Sequence, residues 1–430
     1  MPATYDAVVI GAGVIGASIG FELAKRGYRT LNIDKLPAAG YGSTGNSCAI
    51  VRVHYSTFDG VALAREGFFY WMDWENHLGA RDERGFAKYL NVGCVVFKTP
   101  HNHNLVNVCR HLDALKIAYE DWDVATLEKK MPYFDARSFW PPRRLEDPDF
   151  GAGSGRIAGA IFTPDAGYVS DPQLANHNVQ RAAEAKGAEF RFNAKVVEIS
   201  RRGNRVQGVV LADGTRIDAA VVVNVAGPHS YLVNRMAGVE EGMTIKTRAL
   251  RQEVVHVPAP RGISYPHVVS DGDAACYSRP ETGGHILIGS EDPECDQREW
   301  VDPDDYDRNL TDQAKVQVCR VAQRMPSLGV PNSLRGIVDL YDVSDDWIPI
   351  YDKSDLGGFY MAIGTSGNQF KNAPVVGVMM AELIQACENG RDHDAMPLEL
   401  PLTHCGVSVN VGFYSRQRKI NPESSFSVIG

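Results

Sequence analysis

Gly11, Gly13 and Gly16 stand in Asp6-Ala-Val-Val-Ile-Gly11-Ala-Gly13-Val-Ile-Gly16, and Asp34 follows 23 residues after Gly11. Glycines so spaced let the chain turn tightly, bring its backbone against a pyrophosphate and pack a helix close to a strand. A carboxylate at the position of Asp34 accepts hydrogen bonds from ribose hydroxyls. The combination points to a dinucleotide and does not itself distinguish NAD from FAD. Arg52 is a second candidate, because it interrupts the apolar, β-branched stretch Ala49–Tyr55. A guanidinium in such surroundings needs an anion, from the protein or from a ligand.

The elements that must position these residues are legible around them. Ala7–Ile10 reads as a buried parallel strand, Ala17–Arg26 as a helix closed by Gly27, and Thr30–Ile33 as a second strand with Asp34 at its end. The first helix N-terminus then offers free N–H groups to phosphate. Two further glycine turns follow apolar strands: Ala226-Gly227-Pro228-His229-Ser230 after Ala219–Ala226, and Gly364–Lys371 after Phe359–Gly364. Helices are expected at Leu63–Leu78, Leu105–Lys116, Val124–Met131, Pro303–Arg324 and Val375–Cys387, and from Asp171-Pro172 to about Lys186. Lys195–Ser200 and Val206–Leu211 alternate as a meander, and Leu90–Phe97, Arg248–Val257, Ala274–Ser278 and His285–Ser290 read as further strands. Phe139–Gly159 reads as a long surface connection, and the rings of Phe68, Phe69, Trp71 and Trp74 as core.

A chain of 430 residues is long for one core, so two domains are expected. The net charge of −9 argues against a nucleic-acid surface. No apolar run approaches the ~20 residues of a membrane span, and the strand so near Met1 leaves no room for a signal peptide. Cysteines at 48, 94, 109, 276, 295, 319, 387 and 405 form no CxxC pair, which favours reduced thiols and a cytoplasmic location. His101-Asn-His103 lacks a third ligand cluster nearby, so a solvated loop is expected and no metal.

Together these pieces resemble the D-amino-acid oxidase-like family of FAD-dependent oxidoreductases, in its sarcosine oxidase and dimethylglycine dehydrogenase branch, to about residue 400. Four markers carry the resemblance in order: the Gly11 fingerprint, Gly42-Ser-Thr-Gly-Asn46 running on to Arg52, Ala226–Ser230, and Gly364–Lys371. It implies FAD, expected to be non-covalent because Asp339 stands where the family's tethering cysteine would be, with Gly11, Gly13, Gly16, Asp34 and Lys35 at the ADP part and Ser43 and Thr44 near the pyrophosphate and flavin. Val196 matches a residue whose backbone meets adenine. Ala226, Gly227, Gly364, Ser366, Gly367, Gln369, Phe370 and Lys371 match the flavin side. Arg52 and Lys371 match two cations that hold a substrate carboxylate, Tyr277 matches a pocket tyrosine, and His54 and Tyr55 follow Arg52 closely enough for one of them to line the same pocket.

Three positions depart from the family pattern. His229 replaces a tryptophan, Asp339 stands where a cysteine tethers flavin, and Leu287 stands where a lysine assists oxygen reduction. The implied fold is α/β: a Rossmann-like FAD-binding domain from 1–88, 151–238 and 336–405, a substrate domain with an antiparallel sheet from 89–150 and 239–335, and a tail at 406–430. The implied reaction is oxidation of a carboxylated amine by hydride transfer to flavin N5, followed by imine hydrolysis. Oxygen or a carrier would accept the electrons, and the chain would work alone or in a homo- or hetero-oligomer. Two alternatives stay open, a 2-hydroxy acid or polyol dehydrogenase and the flavin subunit of a heteromeric dehydrogenase.

Overall fold

The computed structural model describes residues 3–99 and 104–429; His101 and His103 lie outside them. The first sheet is built around β1 (Ala3–Ile10) and β2 (Thr30–Ile33), joined by helix α1 (Val14–Lys25). Ala7–Ile10, an unbroken apolar run, is buried, and so is all of β2, including the polar Thr30 and Asn32, as central parallel strands covered on both faces are. β1 pairs in parallel with β2, Ala7 opposite Thr30, and on its other side with Arg216–Asn224, Ile10 opposite Asn224. Glu189–Arg191 extends the sheet beyond β2. The meander Val196–Arg202 and Arg205–Leu211 extends it beyond Arg216–Asn224, and Phe359–Ile363 joins that strand in parallel.

Three glycines set the spacing on the helical face. A Cβ on Gly16 would lie 2.2 Å from the Gly11 carbonyl oxygen, and one on Gly377 would lie 2.7 Å from the Ser18 carbonyl oxygen. A Cβ on Gly20 would meet the Asn32 side chain, whose amide instead donates to the Gly16 carbonyl at 2.8 Å. Helix Ala373–Glu388 therefore packs directly on α1, and helix Pro172–Ala185 flanks it. Asp171 caps the latter, its carboxylate accepting from the Leu174 N–H, with Pro172 in the first turn.

The second sheet runs Arg335–Ser344, Thr247–Pro258, His285–Ser290, Cys276–Glu281, Val268–Asp271, Cys94–Lys98, Gly159–Thr163 and Glu120–Trp122. Every pairing is antiparallel except that of Val268–Asp271 with Cys94–Lys98. Helix Asp312–Arg324 packs its apolar stripe against one face. The expected α/β architecture with a second, largely antiparallel sheet is therefore present.

Several element boundaries differ from expectation. The helix expected over Pro303–Arg324 starts only at Asp312, because the Thr311 side chain caps it there. Leu63–Leu78 is two helices, Phe58–Met72 and Trp74–Leu78. Leu90–Phe97 divides into Tyr89–Asn91 and Cys94–Lys98 around Gly93, which has φ +73°. The strand through Arg52 is only Ile50–Val51. No helix among the described residues is long and apolar enough to cross a membrane.

Candidate functional site

One cavity of about 530 Å³ runs between the two sheets, from the glycine turn after β1 to Arg52 and Lys371. At its first end Gly11 adopts φ +116°, and a Cβ there would fall 2.3 Å from the Val225 carbonyl oxygen, so the turn admits no side chain. Thr44 Oγ1 accepts from the Val14 N–H at 3.1 Å and sits where a Cβ on Gly13 would press, at 2.9 Å. Asp34 braces the same turn: Oδ2 accepts from the Ala12 N–H at 2.8 Å and Oδ1 from the Leu36 N–H at 2.9 Å. Burial raises its pKa against these bonds. The bare glycine cradle, the α1 N-terminus and the acid at the β2 end fit the adenosine and pyrophosphate of a dinucleotide.

Other expected cofactor residues border the same cavity. Val196 lines it from the meander, and Ala226 and Gly227 from the end of Arg216–Asn224. Ser43 lines it with its hydroxyl donated to the Leu340 carbonyl at 2.9 Å. Lys35 is drawn into a rim cluster with Asp304 and with His229 Nε2, which lies 2.9 Å from Asp304 Oδ1. His229 so takes a polar role at the position where the family pattern has a tryptophan. Asp339 also lines the cavity and accepts from the Asn46 side-chain amide.

At the other end, Arg52 and Lys371 lie over the same ring, Arg52 Cζ 5.0 Å and Lys371 Nζ 4.8 Å from the Tyr55 centroid. Neither forms an ion pair with a carboxylate among the described residues. Arg52 donates to the carbonyls of Val428 at 2.9 Å and Ile429 at 2.7 Å, and to that of His54. Buried Lys371 donates to the Asn368 carbonyl, and burial followed by the Arg52 charge pulls its ammonium well below the ordinary range.

The aromatic stripe of Phe58–Met72 and Trp74–Leu78 holds this corner. Trp71 Nε1 donates to the Lys371 carbonyl at 2.8 Å, Phe370 stacks on Trp71, and Trp71 stacks on Trp74. Gly367, at φ +73°, leaves room for the Tyr341 ring, which a Cβ would meet at 2.4 Å. Tyr277 faces the same space, with its hydroxyl 3.4 Å from Tyr341 Oη and 3.6 Å from Cys48 Sγ. Gly289 opposite gives the Tyr277 ring its room.

Three expected site residues do not line the cavity. His54 is buried behind its wall, and neither ring nitrogen has a partner among the described residues. Burial and then the Arg52 charge hold its pKa at about 3. The cause is local: regular strand ends at Val51, so the alternation that would bring Arg52 and His54 to one face is not maintained. The Gly364 N–H is given to Asp342 Oδ2 at 2.6 Å, and the Ser366 hydroxyl to the Gly364 carbonyl at 3.1 Å, so both shape the loop from inside. Gln369 does line the cavity, yet its Oε1 is taken by Tyr351 and Asn372. Leu287 lies outside the lining too, on the Tyr277 side of the sheet, opposite Arg279.

Sequence reasoning missed the buried acids Glu291 and Asp342 and the segment bearing Val428 and Ile429, all of which border the cavity. The position of Glu291 at the end of a strand was a usable signal. Glu291-Asp-Pro-Glu-Cys-Asp296 reads instead as a solvated loop. Nothing near Val428 in the chain marks it as a partner of Arg52.

The family model described as FAD dependent oxidoreductase, DAO, matches residues 6–383. Glycine oxidase of Geobacillus kaustophilus (strain HTA426) is 24% identical over 421 residues, covering 94% of this chain and 99% of that protein. The tRNA 5-methylaminomethyl-2-thiouridine biosynthesis bifunctional protein MnmC of Paraburkholderia xenovorans (strain LB400) is 26% identical over 401 residues, which is 92% of this chain but 52% of that protein. In fold, the crystal structure of L-proline dehydrogenase from P. horikoshii superposes with a TM-score of 0.76 at 21% identity, covering 97% of this chain and 98% of that one.

Proposed function

Because the chain belongs to the DAO family of FAD dependent oxidoreductases, we propose that it oxidises a carboxylated amine, an N-substituted amino acid of the sarcosine type. The observation that carries this reading is the pair of cations, Arg52 and Lys371, facing one cavity with only carbonyl acceptors. Carbonyls are weaker acceptors for a guanidinium than a carboxylate is. A substrate carboxylate that replaces them gains two charge-assisted contacts in a partly dry site.

Bound FAD supplies the two-electron acceptor to which hydride leaves from the carbon beside nitrogen. The protein's share is placement. The glycine turn, Thr44 and Asp34 hold the nucleotide end, while Gly367–Lys371 and Ala226-Gly227 border the redox end. The cation pair fixes one end of the substrate, so its α carbon is presented in one orientation. The two positive charges also lower the amine pKa, so an ammonium that arrives as the zwitterion more readily gives up its proton and reaches the neutral form that releases hydride. On this reading the elements around β1 serve FAD and the second sheet serves the substrate; the expected segments 1–88, 151–238 and 336–405 against 89–150 and 239–335 follow that division except at Gly159–Thr163 and Arg335–Ser344, which pair into the second sheet.

An anaerobic screen tests the proposal. Glycine, sarcosine, proline, their decarboxylated counterparts and lactate are mixed with holoenzyme while the flavin absorbance is followed. Bleaching by an amino acid, with the matching decarboxylated amine inert, is expected. Bleaching by lactate alone, or equally by decarboxylated amines, overturns the reading.

A further inference from the structure

Glu291 sits where the cavity meets Arg52, and the catalytic reading above gives it no task. It follows directly on the strand His285–Ser290, borders the cavity and is only 6% exposed. Its Oε1 accepts from Ser270 Oγ at 2.6 Å, while Oε2 has no partner among the described residues. A buried carboxylate with a vacant acceptor is costly unless it is protonated or meets a cation. Of the neighbouring acids, Asp271 takes Arg324 at 2.8 Å, and Asp292 takes the Gln252 amide at 2.8 Å through Oδ1; its Oδ2 also has no partner among the described residues, but Asp292 does not line the cavity. Arg52 is the nearby cation, and its donors go to carbonyls.

Resting on the carboxylated-amine reading, we propose that Glu291 is the cation-binding half of the substrate site, receiving the substrate ammonium while Arg52 and Lys371 hold the carboxylate. The two halves together select a zwitterion over a plain acid of the same shape. Glu291 is thus a specificity-determining residue. Its state sets a pH window. Burial raises the carboxyl pKa most, Asp271 and Asp292 add to this, Ser270 and Arg52 oppose it, and the result is about 7. The preference for a cation is therefore present above that pH, where the group is ionised, and lost below it.

Two isosteric ligands test this in holoenzyme, trimethylglycine and 3,3-dimethylbutanoate. They differ only in a quaternary nitrogen against a quaternary carbon, and neither has an amine lone pair to oxidise. Binding is read from the flavin spectrum. At pH 8.5 trimethylglycine is expected to bind at least about 10-fold more tightly, with the ratio falling toward one at pH 6 and in Glu291→Gln. Equal affinities in wild type at pH 8.5, a ratio unchanged in Glu291→Gln, or binding by neither ligand overturns the proposal. The wild-type comparison decides even if the variant does not fold. Amino-acid bleaching without discrimination leaves the carboxylated-amine reading standing alone. Discrimination without bleaching by any amine overturns that reading and retains the cation site.

Discussion

At the scale of the residue, the site is a problem of unpaired charge. Arg52→Met or Lys371→Met is expected to weaken binding of a carboxylate ligand by about 2–5 kcal/mol while FAD stays bound, measured by flavin-difference titration; unchanged affinity would remove the clamp. Lys371 adds a proton signature. Its ammonium is held well below the usual range by burial and by Arg52, and an incoming carboxylate favours the charged form. Where Lys371 is neutral in the free enzyme, binding takes up a proton. Weakly buffered holoenzyme should become more alkaline on adding 3,3-dimethylbutanoate, and Lys371→Met should not.

Asp342 shows the opposite sign. Burial lifts its carboxyl to about 7 despite hydrogen bonds from Gly364 and Ser230, above the ~3.9 of an unfolded chain. Between those values the folded protein keeps a proton that the unfolded chain has lost, so this group makes stability fall as pH rises. Asp342→Asn should therefore gain in Tm relative to wild type on going from pH 5 to pH 8. A difference that does not change with pH would refute this.

At the scale of the element, close backbone approach positions the nucleotide end. Helix α1 starts against the turn it follows, because Gly16 has no Cβ to meet the Gly11 carbonyl. Gly16→Ala is expected to force the helix outward and cost about 1–3 kcal/mol of stability. Purified protein should then carry less flavin, seen as a lower ratio of flavin to protein absorbance. Full flavin occupancy with an unchanged Tm would show that the approach is not needed. The aromatic helices act likewise at the far end, where Trp71 holds the Lys371 carbonyl and Phe370 lies flat on its ring.

At the scale of the whole molecule, two sheets enclose one cavity whose wall chemistry bears on how flavin is held and how it is reoxidised. Asp339 borders the cavity, and a carboxylate cannot form the thioether that a cysteine would. Acid precipitation should leave the yellow colour in the supernatant; flavin retained in the pellet would refute non-covalent binding. Oxygen reduction gains from a fixed positive charge beside the flavin; Leu287 supplies none and lies outside the cavity, and of the cations that border it Lys371 is held toward its neutral form by burial and by Arg52. Reduced enzyme is expected to reoxidise slowly in air and quickly with an artificial acceptor dye. Stopped-flow reoxidation by oxygen at least as fast as turnover would make the protein an oxidase.

The sequence by itself determined what depends on near neighbours. The Gly11 turn, β2 with Asp34 at its end and the Asp171-Pro172 helix start are set by sterics and hydrogen bonds within a few residues, so they were legible with nearly correct bounds. Only the tertiary structure decided the rest. Arg52 is held by carbonyls 376 and 377 residues away, and Arg335–Ser344 is a strand because Thr247–Pro258 pairs along it. Glu291 matters because the surrounding fold buries it beside the cavity and leaves one oxygen without a donor. Burial and vacancy are properties of what distant segments bring together, and no local pattern of residue types carries them.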